Sequence, residues 1–198
     1  MNEAGKTKKV IFETAATLFA QESYHKVSMK HIADAVGIAP PSIYNHYTSK
    51  EAILTSIYRF FDEQTAIYKP NLNELLLLCE TEHPHEIMRK TIFVYPEEIN
   101  SLINYSMLVT ASMMRSDIRA NEIINRNLIR MSFEYDIPIL EKLLALGRIE
   151  PLDIEAFALL HSNYQFSSAV RFYSNFGIHT DDWLNGLQLL FSLIKPIE

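Results

Sequence analysis

Cysteine is almost missing from this chain: Cys79 is the single one in 198 residues. A lone thiol cannot form an internal disulfide, which suits a reducing cytoplasm. Glycine is scarce as well, with five in the whole chain. Beta hairpins lean on turn glycines, and few runs here alternate polar with apolar, so a sheet is not expected. Strictly apolar runs stop at five residues, as in Leu75 to Cys79. A membrane-spanning helix needs about 20, so none is expected. Lys6, Lys8 and Lys9 before Val10, Ile11 and Phe12 resemble the start of a signal peptide, but Glu13 breaks the apolar region at once.

Catalytic signatures are missing too. The scattered glycines make no phosphate loop and no dinucleotide fingerprint. His83-Pro84-His85-Glu86 sets two histidines around a proline, which points them apart, so the segment reads as a solvated loop and not as a metal site. Cys79 has no evident histidine partner, and Asp181-Asp182 before Trp183 read as first-turn acids favoured by a helix dipole. The expectation is a protein that is not an enzyme, with no cofactor and no metal.

What is present is ordinary globular material with an uneven charge. Hydrophobic residues make up 48% and charged residues 21%, enough for a core without covalent staples. The net charge of −6 divides into +2 for residues 1–50 and −8 for the rest. A polyanionic partner would therefore meet the first quarter of the chain.

Apolar residues recur at spacings of three and four. Ile11, Phe12, Ala15, Leu18 and Phe19 share one helical face, and Trp183, Leu184, Leu187, Leu190, Phe191 and Ile194 share another. Prolines punctuate the chain, with a boundary expected at Lys69-Pro70-Asn71. Nine or ten helices and no sheet are expected. Pro138 should kink or break the periodic stretch from Asp117 to Leu146, and Gly147 should cap it.

Residues 24–50 carry the most information. Ser28 can cap a short helix whose apolar face is Ile32, Ala33 and Val36, and Gly37 permits the positive φ of a sharp turn. Pro40 and Pro41 then open a second helix of about two turns, where a missing N–H costs little. Two short helices around such a turn make a helix-turn-helix. With Ile43 and Tyr47 inward, Pro40, Pro41, Ser42, Tyr44, Asn45 and His46 lie on or near the outer face. Those side chains suit base edges, thymine methyls and phosphates. Thr48-Ser49-Lys50-Glu51 opens another helix, where Lys50 adds charge to a dipole end that favours phosphate. Spacing alone fits DNA binding and an ordinary pair of core helices equally.

The run Ile32-Ala33, Gly37-Ile38, Ser42-Ile43-Tyr44-Asn45-His46-Tyr47 and Ser49-Lys50-Glu51 with Leu54 resembles the DNA-binding signature of the TetR family of bacterial transcriptional regulators. The resemblance covers residues 6–54. It departs at Ser23, where the family has glycine, which predicts a differently shaped helix end, and at the adjacent Pro40-Pro41. The resemblance implies an all-α protein: a three-helix DNA-binding domain over residues 1–50 and a larger helical effector-binding and dimerisation domain over 51–198. It implies that Pro41, Ser42 and Asn45 face bases, with Pro40 at the edge. Tyr44 and Lys50 would hold phosphates, with Ser28 and Lys30 as further phosphate contacts, and His46 would serve packing as much as contact.

The resemblance also implies a homodimer on a near-palindromic duplex operator and a small, largely apolar effector. Two closing helices, with Leu184, Leu187 and Phe191 against Ile154, Phe157 and Tyr164, are the candidate dimer seam. Phe61, Phe93, Tyr105, Met107, Thr110, Met113, Met114 and Tyr164 are the candidate effector lining, since methionines and aromatics line adaptable pockets. The helix from Lys50 to Tyr68 would couple effector to DNA. The leading expectation is a cytoplasmic repressor released by its effector. A DNA-binding dimer without an effector, and a helical carrier or enzyme with a coincidental helix-turn-helix, remain open.

Overall fold

A computed structural model of the chain describes residues 3–92, 94–173 and 180–197, with the side chains of 169–173 and 180–182 left aside. Ten α-helices are present among the described residues. They are α1 (Glu3–Glu22), α2 (Met29–Val36), α3 (Lys50–Ile67), α4 (Leu72–Leu78), α5 (Pro84–Lys90), α6 (Glu97–Met113), α7 (Ile118–Ile124), α8 (Arg130–Ala145), α9 (Ile154–Tyr173) and α10 (Thr180–Phe191). A 3-10 helix (Pro40–Asn45) lies between α2 and α3, and a π-helical turn (Asn125–Ile129) leads into α8. The described residues contain no strand, only an isolated antiparallel bridge between Ile149 and Pro196. The all-α expectation holds.

Packing divides the chain into two units. The first takes Met1–Ala66 and Tyr95–Ile124, the second Ile67–Val94 and Asn125–Glu198. The first unit is built on the four-residue rhythm of α1. Ile11, Ala15 and Phe19 are buried with Ile32 and Ala33 of α2, Ile43 of the 3-10 helix and Ile53, Leu54 and Ile57 of α3. Val109 and Met113 of α6 and Ala120 of α7 belong to the same core. That shared core is why α6 and α7, distant in sequence, join the first unit.

The α1–α2 corner settles the question of Ser23. It adopts φ +79°, the left-handed conformation that glycine takes readily. Its N–H reaches Phe19 O at 3.1 Å and its carbonyl accepts from Lys26 N at 3.2 Å. A left-handed conformation costs an L-residue about 1 kcal/mol.

In the second unit, Leu75, Ile87, Met88, Tyr135, Ile139, Leu140, Phe157, Leu187 and Phe191 form the core. Of the kink or break expected at Pro138 there is no break, since α8 runs through it. The departure from α geometry sits earlier, at the π turn, where Ser162 Oγ donates to Ile129 O at 2.7 Å. Gly147 caps α8 at φ +66°, with Arg148 N bonded to Leu143 O. The expected histidine loop is instead a structured helix start. His83 Nδ1 accepts from His85 N, and His85 Nε2 bonds Ile194 O at 2.7 Å. The proline at the first helical position fixes that geometry. Among the described residues no cluster suited to a metal is found. No helix of the described residues is long and apolar enough to cross a membrane. Asp181 and Asp182 lie outside the described side chains.

One feature of the second unit has no sequence signature. Asp136 on α8 and His161 on α9 are 0% and 1% exposed and are joined, Oδ2 to Nδ1, at 2.7 Å. His161 Nε2 is 2.9 Å from Gln165 Nε2, and Asp136 Oδ1 makes no hydrogen bond. Burial pushes the Asp136 carboxyl above the usual carboxylate range, while the hydrogen bond to His161 pulls the other way.

Two stability outcomes are expected. Ser23→Gly should stabilise the protein by about 1 kcal/mol in urea unfolding, by removing the left-handed penalty. His161→Ala strands a buried carboxyl and should cost about 3 kcal/mol, whereas Asp136→Asn, which leaves a neutral hydrogen-bonding side chain, should cost clearly less by the same measurement.

Candidate nucleic-acid interface

The candidate surface begins at the N-cap of α2. Ser28 Oγ accepts from His31 N at 3.1 Å, which fixes the start of an eight-residue helix too short to hold itself. At its other end Gly37 takes φ +79°, and its N–H and that of Ile38 close onto Asp34 and Ala33 carbonyls. The chain turns and enters the 3-10 helix at Pro40.

That second helix is not the α-helix the sequence suggests. Its residues close in the tighter i to i+3 pattern, as in Ser42 N to Ala39 O at 2.8 Å, with the two prolines at the first positions, where their missing N–H groups cost little. Ile43 is fully buried and Tyr47 nearly so, and together they pin the segment to the core. Pro41, Tyr44 and Asn45 face solvent, Tyr44 at 55%. Pro40, Ser42 and His46 are half-buried beside them. Ser28 and Lys30 at the head of α2 are also exposed, although Lys30 spends a donor on Asp34 at 3.0 Å.

Lys50 is held differently from its expected role. Its Nζ donates to Tyr24 O and Val27 O, both at 2.9 Å, and sits 4.3 Å from the Tyr24 ring centre. Two of its three donors are therefore committed to the α1–α2 corner, leaving one for a phosphate. Ser49 Oγ caps α3 through Ala52 N at 3.1 Å.

Sequence reading missed the residues around Glu51. Glu51 Oε2 accepts from Tyr24 OH at 3.2 Å, and Oε1 takes a guanidinium N–H of Arg119. Arg119 lies at the start of α7, where Asp117 receives its backbone N–H at 3.0 Å and its side-chain Nε at 3.1 Å. The guanidinium holds the Asp117 carboxyl below the usual carboxylate range. Burial raises the hydroxyls of Tyr24 and Tyr47 above the ordinary phenol value. No local motif announces this cluster, because its partners are 64 and 68 residues apart. An open groove of about 300 Å3 lies on the same unit, lined by Phe12, Tyr47 and Phe60 with Lys8, Lys9 and Arg59.

The expected effector residues fall in both units. Phe61, Tyr105, Met107, Thr110, Met113 and Met114 fall in the first unit and Tyr164 in the second, while Phe93 lies outside the described residues. Phe61, Met107 and Met113 are buried, and Thr110 Oγ1 is spent on Ser106 O at 2.7 Å within its own helix. Tyr164 packs against Gly186, where a Cβ would strike its ring, and its hydroxyl donates to Trp183 O.

The two roles of the outward residues separate by stability. Lys50→Met should cost about 2 kcal/mol, because two charge-assisted hydrogen bonds go, whereas Tyr44→Ala should stay within about 0.5 kcal/mol. Thermal and urea unfolding of the two variants measures both.

Comparison with known proteins places this geometry. Residues 11–57 match the model of bacterial regulatory proteins of the tetR family. The HTH-type transcriptional repressor KstR2 of Rhodococcus jostii is 25% identical over 118 residues, 55% of this chain and 58% of the repressor. The matches reach between 28% and 58% of the length of the curated relatives. Over nearly the whole chain the fold is similar to that of KstR2 of Mycobacterium tuberculosis, with a TM-score of 0.68 at 20% identity, covering 98% of this chain and 95% of that one. It is also similar to a transcriptional regulator of Saccharomonospora viridis in complex with choline, with a TM-score of 0.61 at 18% identity, covering 98% and 100%. Residues 11–57 are thus similar to the DNA-binding part of bacterial regulatory proteins of the tetR family.

Proposed function

We propose that this protein is a sequence-specific duplex-DNA-binding transcriptional repressor that acts as a homodimer. The observation that carries the reading is the solvent-facing trio Pro41, Tyr44 and Asn45, set on a pinned turn by the buried Ile43 and Tyr47. Asn45 is the side chain best suited to a base edge, and Pro41 to a thymine methyl. Tyr44, Ser28, Lys30 and the remaining donor of Lys50 serve phosphates.

A single surface of this size reads few bases. A two-fold pair places two such surfaces about 34 Å apart, one turn of duplex, and so reads a near-palindrome. Support for pairing comes from the leucines that the second unit leaves in solvent. Leu159 and Leu160 of α9 and Leu184 and Leu189 of α10 are exposed, Leu189 at 74%. Scattered exposed leucines are ordinary, but several on two adjoining helices favour a partner surface. Of the expected seam, Leu187, Phe191 and Phe157 are spent on the chain's own core, while Leu184 is left exposed.

Release by a small, largely apolar effector is the second part of the proposal. The fold relative holding choline gives the precedent for a small molecule in this fold. What supports a polar contact for such a molecule is Asp136 Oδ1, buried without a hydrogen bond beside His161, whose ring packs against Phe157 and Phe191.

Selection of bound duplexes from a random pool tests the DNA reading. A recovered near-palindrome is expected, with affinity falling linearly in log–log plots against salt. Asn45→Ala should relax preference at one base position by about 1–3 kcal/mol, while Tyr44→Phe should weaken all duplexes alike. Failure of the purified chain to retain any duplex at low salt refutes the reading.

A further inference from the structure

Arg119 stands far beyond the stretch that matches the family model, yet three of its contacts fall on α3. Asp117 prepares it. The carboxylate takes Nε at 3.1 Å and Nη2 at 2.6 Å, a two-pronged grip that fixes the guanidinium plane before it meets anything else. The free edge then points at α3. Nη1 donates to Thr55 Oγ1 at 3.2 Å and Nη2 to Glu51 Oε1, while the cation lies 5.6 Å from the ring centre of Tyr58. Glu51, Thr55 and Tyr58 form one stripe of that helix, at spacings of four and three.

The contacts continue beyond α3. The second oxygen of Glu51 holds Tyr24 OH, the Tyr24 ring lies under the Lys50 ammonium, and Lys50 grips the Tyr24 and Val27 carbonyls. Val27 directly precedes Ser28, the cap of α2. One guanidinium is thus connected, contact by contact, to the first residue of the reading surface. All of these residues belong to the first unit.

We infer that Arg119 is a positioning residue for DNA reading, so that the reading unit includes α6 and α7 as well as the N-terminal helices. The inference rests on the DNA-binding reading above. Its physical basis is the division of labour within the unit. The apolar core holds α1, α2 and α3 together without Arg119. The side chains of Arg119 and Glu51 are about half exposed, where a lone ion pair contributes little to stability. A pre-oriented fork with several acceptors instead fixes direction. Base edges demand direction, whereas phosphates tolerate displacement far better. Lysine at this position supplies the charge but not the fork, and should not replace it.

The test uses the full chain, the duplex selected from a random pool, and a scrambled duplex of equal length. Arg119→Ala and Arg119→Lys should each weaken the selected duplex by about tenfold, leaving the scrambled duplex and the salt slope unchanged. Glu51→Gln, which keeps the helix start, should do the same. If Arg119→Ala folds poorly, Thr55→Val with Glu51→Gln tests the same stripe. Unchanged affinity for the selected duplex overturns the inference. So does an equal loss on both duplexes in step with a lower melting temperature, which marks a general folding role, and so does a salt slope smaller by about one, which marks a direct phosphate contact. If the wild-type chain selects no duplex, the DNA reading itself falls and takes this inference with it. Selection by the wild type with unaffected variants overturns the inference alone.

Discussion

A six-residue helix with two prolines cannot hold its own shape. It has too few internal hydrogen bonds to offset the entropy of ordering it. Burial of Ile43, and of Tyr47 just beyond it, supplies what the backbone lacks. The outward set of Pro41, Tyr44 and Asn45 exists as a surface only because those two side chains are anchored. Everything proposed about DNA depends on this anchoring. The core of the first unit, from Ile11 through Leu54, is the surface onto which the anchors fasten.

Polar contacts refine what the apolar core sets up. Ser28 caps α2, Ser49 caps α3, and Lys50 ties the start of α3 to the corner before α2. Each satisfies backbone groups that a short helix or a corner would leave open. A cation in such a position has a double nature, since the same ammonium that closes the corner retains one donor toward solvent. Stability and the proposed phosphate contact are therefore not separable at Lys50 by inspection of its type or place in a motif. They separate at Tyr44, which touches solvent and carries no comparable load.

The second unit follows another logic. Its core takes the leucines and aromatics of α8, α9 and α10 but also encloses an acid, an imidazole and an amide in series. Burying such groups is costly unless they satisfy one another, and Asp136 Oδ1 is left without a partner. A core that served packing alone would be better off apolar at these positions. Met113 of α6, by contrast, belongs to the apolar core of the first unit.

The sequence by itself determined the helical class, the place of the helix-turn-helix, its cap at Ser28, the turn at Gly37 and the inward pair Ile43 and Tyr47. These are local matters: spacing of three and four, one residue without a Cβ, and hydroxyls at helix starts. Ser23 shows the limit of even local reading, since its conformation is imposed by the corner it closes and not by its own preference. Only the tertiary structure decided the 3-10 geometry of the second helix, the internal duty of Lys50, the membership of α6 and α7 in the first unit, and the joining of Asp136 to His161. Each depends on groups far apart in the chain meeting in space, as when Arg119 reaches Glu51, and no periodicity records such a meeting.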